Sequence, residues 1–81
     1  MQKNDRFMNR ITSDPMVLQG QPCIRSLRIP VAMILDSLAE GMSEDELLRE
    51  LPPLEREDIH AALAYAGRRL REEIMSLPSS V

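Results

Sequence analysis

Aromatic residues are nearly missing from this chain of 81 residues, which has no tryptophan, one phenylalanine (Phe7) and one tyrosine (Tyr65). Any core must therefore be aliphatic, built from the Leu, Ile, Val, Ala and Met that supply most of the 43% hydrophobic content. Cysteine is as scarce. Cys23 stands alone, which excludes an internal disulfide, and a free thiol fits a reducing compartment such as the cytoplasm. With His60 the only histidine, no familiar metal-ligand spacing can be filled, and no cofactor is expected. The longest apolar run, Ile29 to Leu35, is far too short to span a bilayer. Residues 1–10 are polar and lack the apolar centre of a signal peptide. Glycine-rich phosphate loops are absent too, and Glu44, Asp45, Glu46, Glu55, Glu57 and Asp58 read as helix-start charges and solvated faces rather than an acid/base pair. These absences argue against an enzyme.

What is present is charge asymmetry and helical periodicity. Residues 1–30 carry five basic and two acidic side chains, whereas residues 31–81 carry five basic and eleven acidic ones. An acidic half repels a phosphate backbone, so nucleic-acid binding would have to use the basic N-terminal part or local patches. Ser43 with Glu46 spells a capping box, and Glu44, Asp45 and Glu46 place negative charge at the positive end of a helix. Leu47, Leu48 and Leu51 form its apolar side, and Pro52-Pro53 stops it. Before it, Pro30 opens a helix whose Val31, Ile34, Leu35 and Leu38 follow core-facing spacing, with Gly41 as left-handed cap. After it, Ile59, Leu63, Ala66, Leu70, Ile74 and Leu77 cover eighteen residues in five steps and predict one continuous stripe on a long helix. Gly67 within that helix suggests close approach of a neighbour. Glu55 is a poor N-cap for it, offset in part by its acidic first turn.

The expected organisation is a flexible arm over residues 1–10, short β segments over 11–29, and a helical domain over 30–77 with helices at about 30–41, 43–51 and 55–76. Among the β segments, Ile11-Thr12, Met16-Val17-Leu18, Cys23-Ile24-Arg25 and Leu27-Arg28-Ile29 read as extended, with Gly20 holding a positive φ between the second and third. Unpaired short strands invite a second chain, so a homodimer through residues 11–29 and the apolar end of the last helix is expected. Cys23 reads as a small buried hydrophobe and His60 as a surface residue.

Short helix, tight break and long helix form the outline of a helix-turn-helix. The front of the long helix, Glu55-Arg56-Glu57-Asp58, is dominated by acids, so Arg25 and Arg28 are the better phosphate contacts, with Arg56 a further candidate. Weak, generic DNA binding is the most this pattern predicts.

The chain resembles domain of unknown function family 433. The resemblance runs through Ile11-Thr12 with Asp14-Pro15, Gly20, Pro22, Ile24, Arg28-Ile29-Pro30-Val31, Ile34, Leu38, Gly41-Met42-Ser43, Leu51-Pro52 with Leu54, Asp58-Ile59 and Ala61-Ala62-Leu63-Ala64-Tyr65-Ala66. It departs at Ser26-Leu27, where the family usually has Gly-Thr, and at Glu55, where a threonine usually caps the long helix. The resemblance implies a mainly α fold, a three-helix homeodomain-like helix-turn-helix bundle preceded by short β segments. Many members are regarded as antitoxins, encoded beside a toxin resembling PIN-domain nucleases. It thus implies an antitoxin-like protein that neutralises such a toxin and represses its own operon. A stand-alone DNA-binding regulator and a dimeric interaction module without nucleic acid are the alternatives. By family analogy the toxin carries clustered carboxylates, which an arginine can engage through paired hydrogen bonds. Arg68, Arg69 and Arg71, with Leu70, Ile74 and Leu77 beside them, are the favoured partner-binding residues, and Arg6 and Arg10 of the arm are second choice.

Overall fold

The structure, a computed structural model, describes Phe7 and residues 9–76. Three two-residue strands, β1 (Ile11–Thr12), β2 (Cys23–Ile24) and β3 (Ile29–Pro30), precede three helices, α1 (Val31–Ala39), α2 (Glu44–Glu50) and α3 (Arg56–Ser76). The strands form one antiparallel sheet in the order β1-β2-β3, with Ile11 opposite Ile24 and Ile24 opposite Ile29. The short strands therefore find their partners within the chain. Mainly helical, with a small N-terminal sheet, is the observed class.

Local sequence chemistry places the helix ends. Pro30, fixed at φ −65°, stands just outside α1, whose first residue Val31 donates its N–H to Pro22 O at 3.0 Å. Gly41 takes φ +100° and closes α1: its N–H reaches Leu38 O, and the Met42 N–H reaches Ser37 O. These two bonds make a Schellman motif, which satisfies carbonyls the helix leaves open. The expected capping box is present in both halves, Ser43 Oγ accepting from the Glu46 N–H and Glu46 Oε1 from the Ser43 N–H. Leu51, with φ −126° and ψ 77°, ends α2 before the two prolines.

The core is aliphatic. Ile24, Val31, Ile34, Leu47, Leu54, Ile59 and Ala62 are buried together, ringed by half-buried Ile11, Leu27, Leu35, Leu38, Leu51 and Tyr65. Burying one Val, Ile or Leu side chain contributes about 1.5–3 kcal/mol, and six of these seven centres are of that kind. Cys23 is buried, as its reading as a small hydrophobe requires.

Two expectations need correction. Met16-Val17-Leu18 is not a strand; Leu18–Gly20 is a turn of 3-10 helix, entered through left-handed Leu18 and Gln19, with Gly20 at φ +83°. Arg25 and Arg28 do not lie on strands either. They begin and end the four-residue turn between β2 and β3, at φ +45° and +60°. Ser26 is not in the left-handed region, so this turn does not need glycine at the position where the family usually has one. The apolar stripe of α3 is a core face only at its start. Among its described members only Ile59 is fully buried; α3 packs on the core through Asp58, Ile59, Ala61, Ala62 and Tyr65, while Leu63, Leu70 and Ile74 face solvent. The reason is geometric: α1, α2 and β1 pack on the first turns of α3, and no other described element lies over the rest.

Candidate functional site

Two features of α3 organise the surface: a buried carboxylate near its start and a bare second half. Asp58 occupies the third position of α3 on the face turned to the core, four residues before Ala62 and seven before Tyr65. Its side chain is fully buried. One oxygen, Oδ2, accepts from the Glu55 backbone N–H at 2.9 Å and from an Arg25 terminal nitrogen at 2.6 Å. The other, Oδ1, accepts from Arg25 Nε at 3.0 Å and from Arg10 at 2.9 Å, and the same Arg10 nitrogen reaches Glu55 Oε1 at 2.9 Å. Burial alone would push the Asp58 carboxyl up, but the Arg25, Glu55 and Arg10 hydrogen bonds hold it below its ordinary value. Arg10 is raised by its bonds to Glu55 and Asp58, and Arg25 by its bonds to Asp58.

This cluster answers two questions the sequence left open. The weak cap at Glu55 is made good from the other direction, since Asp58 supplies the returning half of a capping box to the Glu55 N–H. The left-handed backbone of Arg25 is held from several sides. Its N–H donates to Arg10 O at 2.8 Å, its carbonyl accepts from Thr12 Oγ1, and its guanidinium grips Asp58. A non-glycine residue keeps such a conformation only where its surroundings fix it. Arg25 is thus occupied as the bolt between sheet and α3. The residue behind the bolt was missed, although Asp58 at the i−4 and i−7 positions of two core residues is the signal that could have found it.

Of the DNA-contact candidates, Arg25 and Arg28 border one cleft and Arg56 stands apart from them. Arg56 is clamped on α2, donating to Glu44 Oε1 at 2.8 Å and Asp45 Oδ1 at 2.5 Å, which raises Arg56 and lowers Asp45. Arg28 is exposed and lines a separate cleft beside the β2–β3 turn. At the front of α3, His60 is exposed with its ring edge-on to Phe7 and Nε2 3.7 Å from Glu44 Oε1. Arg10, assigned to the arm, is anchored on α3; Arg6 lies outside the described residues.

The described partner-binding candidates lie on one stretch of helix, around its circumference. Arg68, Arg69, Leu70, Arg71 and Ile74 are all exposed on the second half of α3; Leu77 lies outside the described residues. Leu63 is 45%, Leu70 60% and Ile74 66% exposed, and with Gly67 between the first two they stand at spacings of four, three and four. That is the spacing of a heptad seam. A Cβ built on Gly67 would meet only the flexible end of Arg71 at 3.4 Å, so the glycine leaves a shallow place on the seam. Arg68 and Arg69 reach Glu72 only at 3.6 and 3.5 Å; such exposed pairs contribute about 0–1 kcal/mol and leave both guanidinium groups available. Among the described residues no group of His, Cys, Asp or Glu could hold a metal ion, and no helix is long and apolar enough to cross a membrane.

Comparison with known proteins fits this geometry. Over 56 residues the chain is 39% identical to the uncharacterized protein y4eO of Sinorhizobium fredii (strain NBRC 101917 / NGR234); the match takes 69% of this chain but only 25% of that protein. The crystal structure of a DUF433 member protein from Anabaena variabilis ATCC 29413 superposes with a TM-score of 0.74 at 34% identity, covering 83% of this chain and 66% of that one. The family described as "Protein of unknown function (DUF433)" matches residues 11–66, which span the sheet, α1, α2 and the packed part of α3. The chain belongs to the DUF433 family.

Proposed function

We propose that this protein is a non-enzymatic, antitoxin-like binding protein of the cytoplasm, which seats the second half of α3 on a PIN-like nuclease toxin encoded by an adjacent gene. The observation that carries this reading is the exposed seam of Leu63, Leu70 and Ile74, with Arg71 on one side of it and Arg69 on the other. Single exposed leucines are ordinary, but an apolar line with an arginine ridge matches a partner that offers both a greasy groove and carboxylates. The family match ends at residue 66, so most of this seam lies beyond the shared fold, where a partner specific to this chain would be read. In the absence of the toxin the same seam pairs two copies, since the sheet has already paired its strands internally.

DNA repression is the weaker part of the reading. The α2–break–α3 outline supports it, yet the front of α3 exposes Glu55 and Glu57, and its one guanidinium, Arg56, is held by Glu44 and Asp45. Generic, salt-sensitive binding is what such a surface would give. The test is co-expression with the product of the neighbouring gene. The wild-type chain should co-purify with it and protect cells. A Leu70→Asp/Ile74→Asp variant should keep its fold and lose both properties. A variant that still captures and silences the toxin overturns the assignment.

A further inference from the structure

Beside the β2–β3 turn lies a cleft of about 470 Å³, within the range of small-molecule sites. Its walls include Val17 and the buried Cys23, and its polar groups include Asn9, Asp14, Ser26 and Arg28. Arg25 also borders it, but that guanidinium is committed to Asp58. Arg28, Ser26 and Asn9 are different. None of their side chains has a hydrogen bond or ion pair among the described residues. Asp14 uses one oxygen, Oδ1, for the Met16 N–H and leaves Oδ2 open.

Arg28 is the informative residue. Both arginines of this turn sit in left-handed backbone, at φ +45° and +60°. The Arg25 guanidinium is tied into the buried ion pair; the Arg28 guanidinium has no hydrogen bond or ion pair among the described residues. The second conformation presents a guanidinium fork with a hydroxyl and a carboxamide bordering the same space. Together these give an oxyanion several hydrogen-bond donors, and an arginine fork suits phosphate in particular. The cleft is larger than a phosphate alone needs. Val17 and Cys23 offer an apolar wall to an organic body, and the open oxygen of Asp14 accepts from an amino or hydroxyl group on it.

We propose that this cleft binds a small phosphomonoester with a donor-bearing body, a nucleoside monophosphate being of fitting size and chemistry. Arg28 holds the phosphate, and Ser26 and Asn9 complete its shell. The site is independent of the α3 surface, and its failure would leave the partner-binding reading untouched.

Calorimetric titration of the full chain with adenosine monophosphate, inorganic phosphate and a short duplex DNA separates the outcomes. Saturable binding of the nucleotide is expected, with phosphate weaker and competing for the same site. Arg28→Gly should lose binding at least about tenfold while melting no lower than wild type, because glycine accepts a left-handed φ freely. Arg28→Lys keeps the charge but not the fork and should fall between. Arg68→Ala should bind as wild type. The proposal is overturned if no nucleotide binds, if Arg28→Gly binds undiminished, or if only the duplex binds, which would make Arg28 a backbone-phosphate contact.

Discussion

Replacing Asp58 by alanine should damage this fold more than any other single charge removal among the described residues. The carboxylate is fully buried and accepts four hydrogen bonds, from Arg25 twice, from Arg10 and from the Glu55 backbone. Removing one partner of a buried pair costs about 3–5 kcal/mol. The arginines left behind have side chains 34% and 27% exposed, so water can partly solvate them, and the lower end of that range applies. The Glu55 N–H loses its acceptor in addition. A loss of about 3 kcal/mol is a large share of the roughly 5–15 kcal/mol of a typical domain. For a chain of this size it should lower Tm by well over about 10 °C. Thermal and urea denaturation followed by circular dichroism measures both. A cycle with Arg25→Ala should show strong coupling, the second substitution costing little once Asp58 is gone. If Asp58→Ala loses less than about 1 kcal/mol, the cluster is ornament and the sheet is held to α3 by apolar packing alone.

Further outcomes follow from the same geometry. Because the folded Asp58 carboxyl lies below its unfolded value, its contribution is fully present above about pH 4 and is lost as pH falls through the folded value; Asp58→Asn should flatten the acid limb of stability against pH, and an unchanged limb would refute this. Gly41→Ala should cost about 1–2 kcal/mol from φ +100° alone, since nothing within 4 Å crowds the new methyl, a value read from urea midpoints. Ser43→Ala should cost about 1 kcal/mol through the capping box. Ile34→Ala should cost about 3 kcal/mol, whereas Leu70→Ala and Ile74→Ala should each stay within about 0.5 kcal/mol; comparable losses at all three sites would return the seam to the core.

The helices were legible because their signals are local. Ser43 with Glu46, Gly41 after Leu38, and Pro52-Pro53 after Leu51 each fix an end by chemistry within a few residues, and the structure keeps all three. What periodicity could not reveal is where the core stops. Ile59 and Leu70 are equally apolar letters on one stripe, and only the extent of the layer packed on α3 separates a buried residue from an exposed one. The turn carrying Arg25 and Arg28 misled for a related reason. Its left-handed Arg25 is held by Asp58, thirty-three residues away, so no short window contains the cause. The same distance hid the role of Asp58, which reads locally as one more acid at a helix start. Of the proposed partner surface, the sequence shows the composition and the structure adds the exposure.

Amide hydrogen exchange of the chain, free and bound to the product of the adjacent gene, tests the central claim most directly. Uncovered helix opens readily, so at dilutions where the seam does not pair two copies the amides of residues 68–76 should exchange fast in the free chain. In the complex they should become the most strongly protected segment, with residues 43–60 unchanged. Protection confined to α2 and the front of α3, with 68–76 still exchanging fast, would contradict the account.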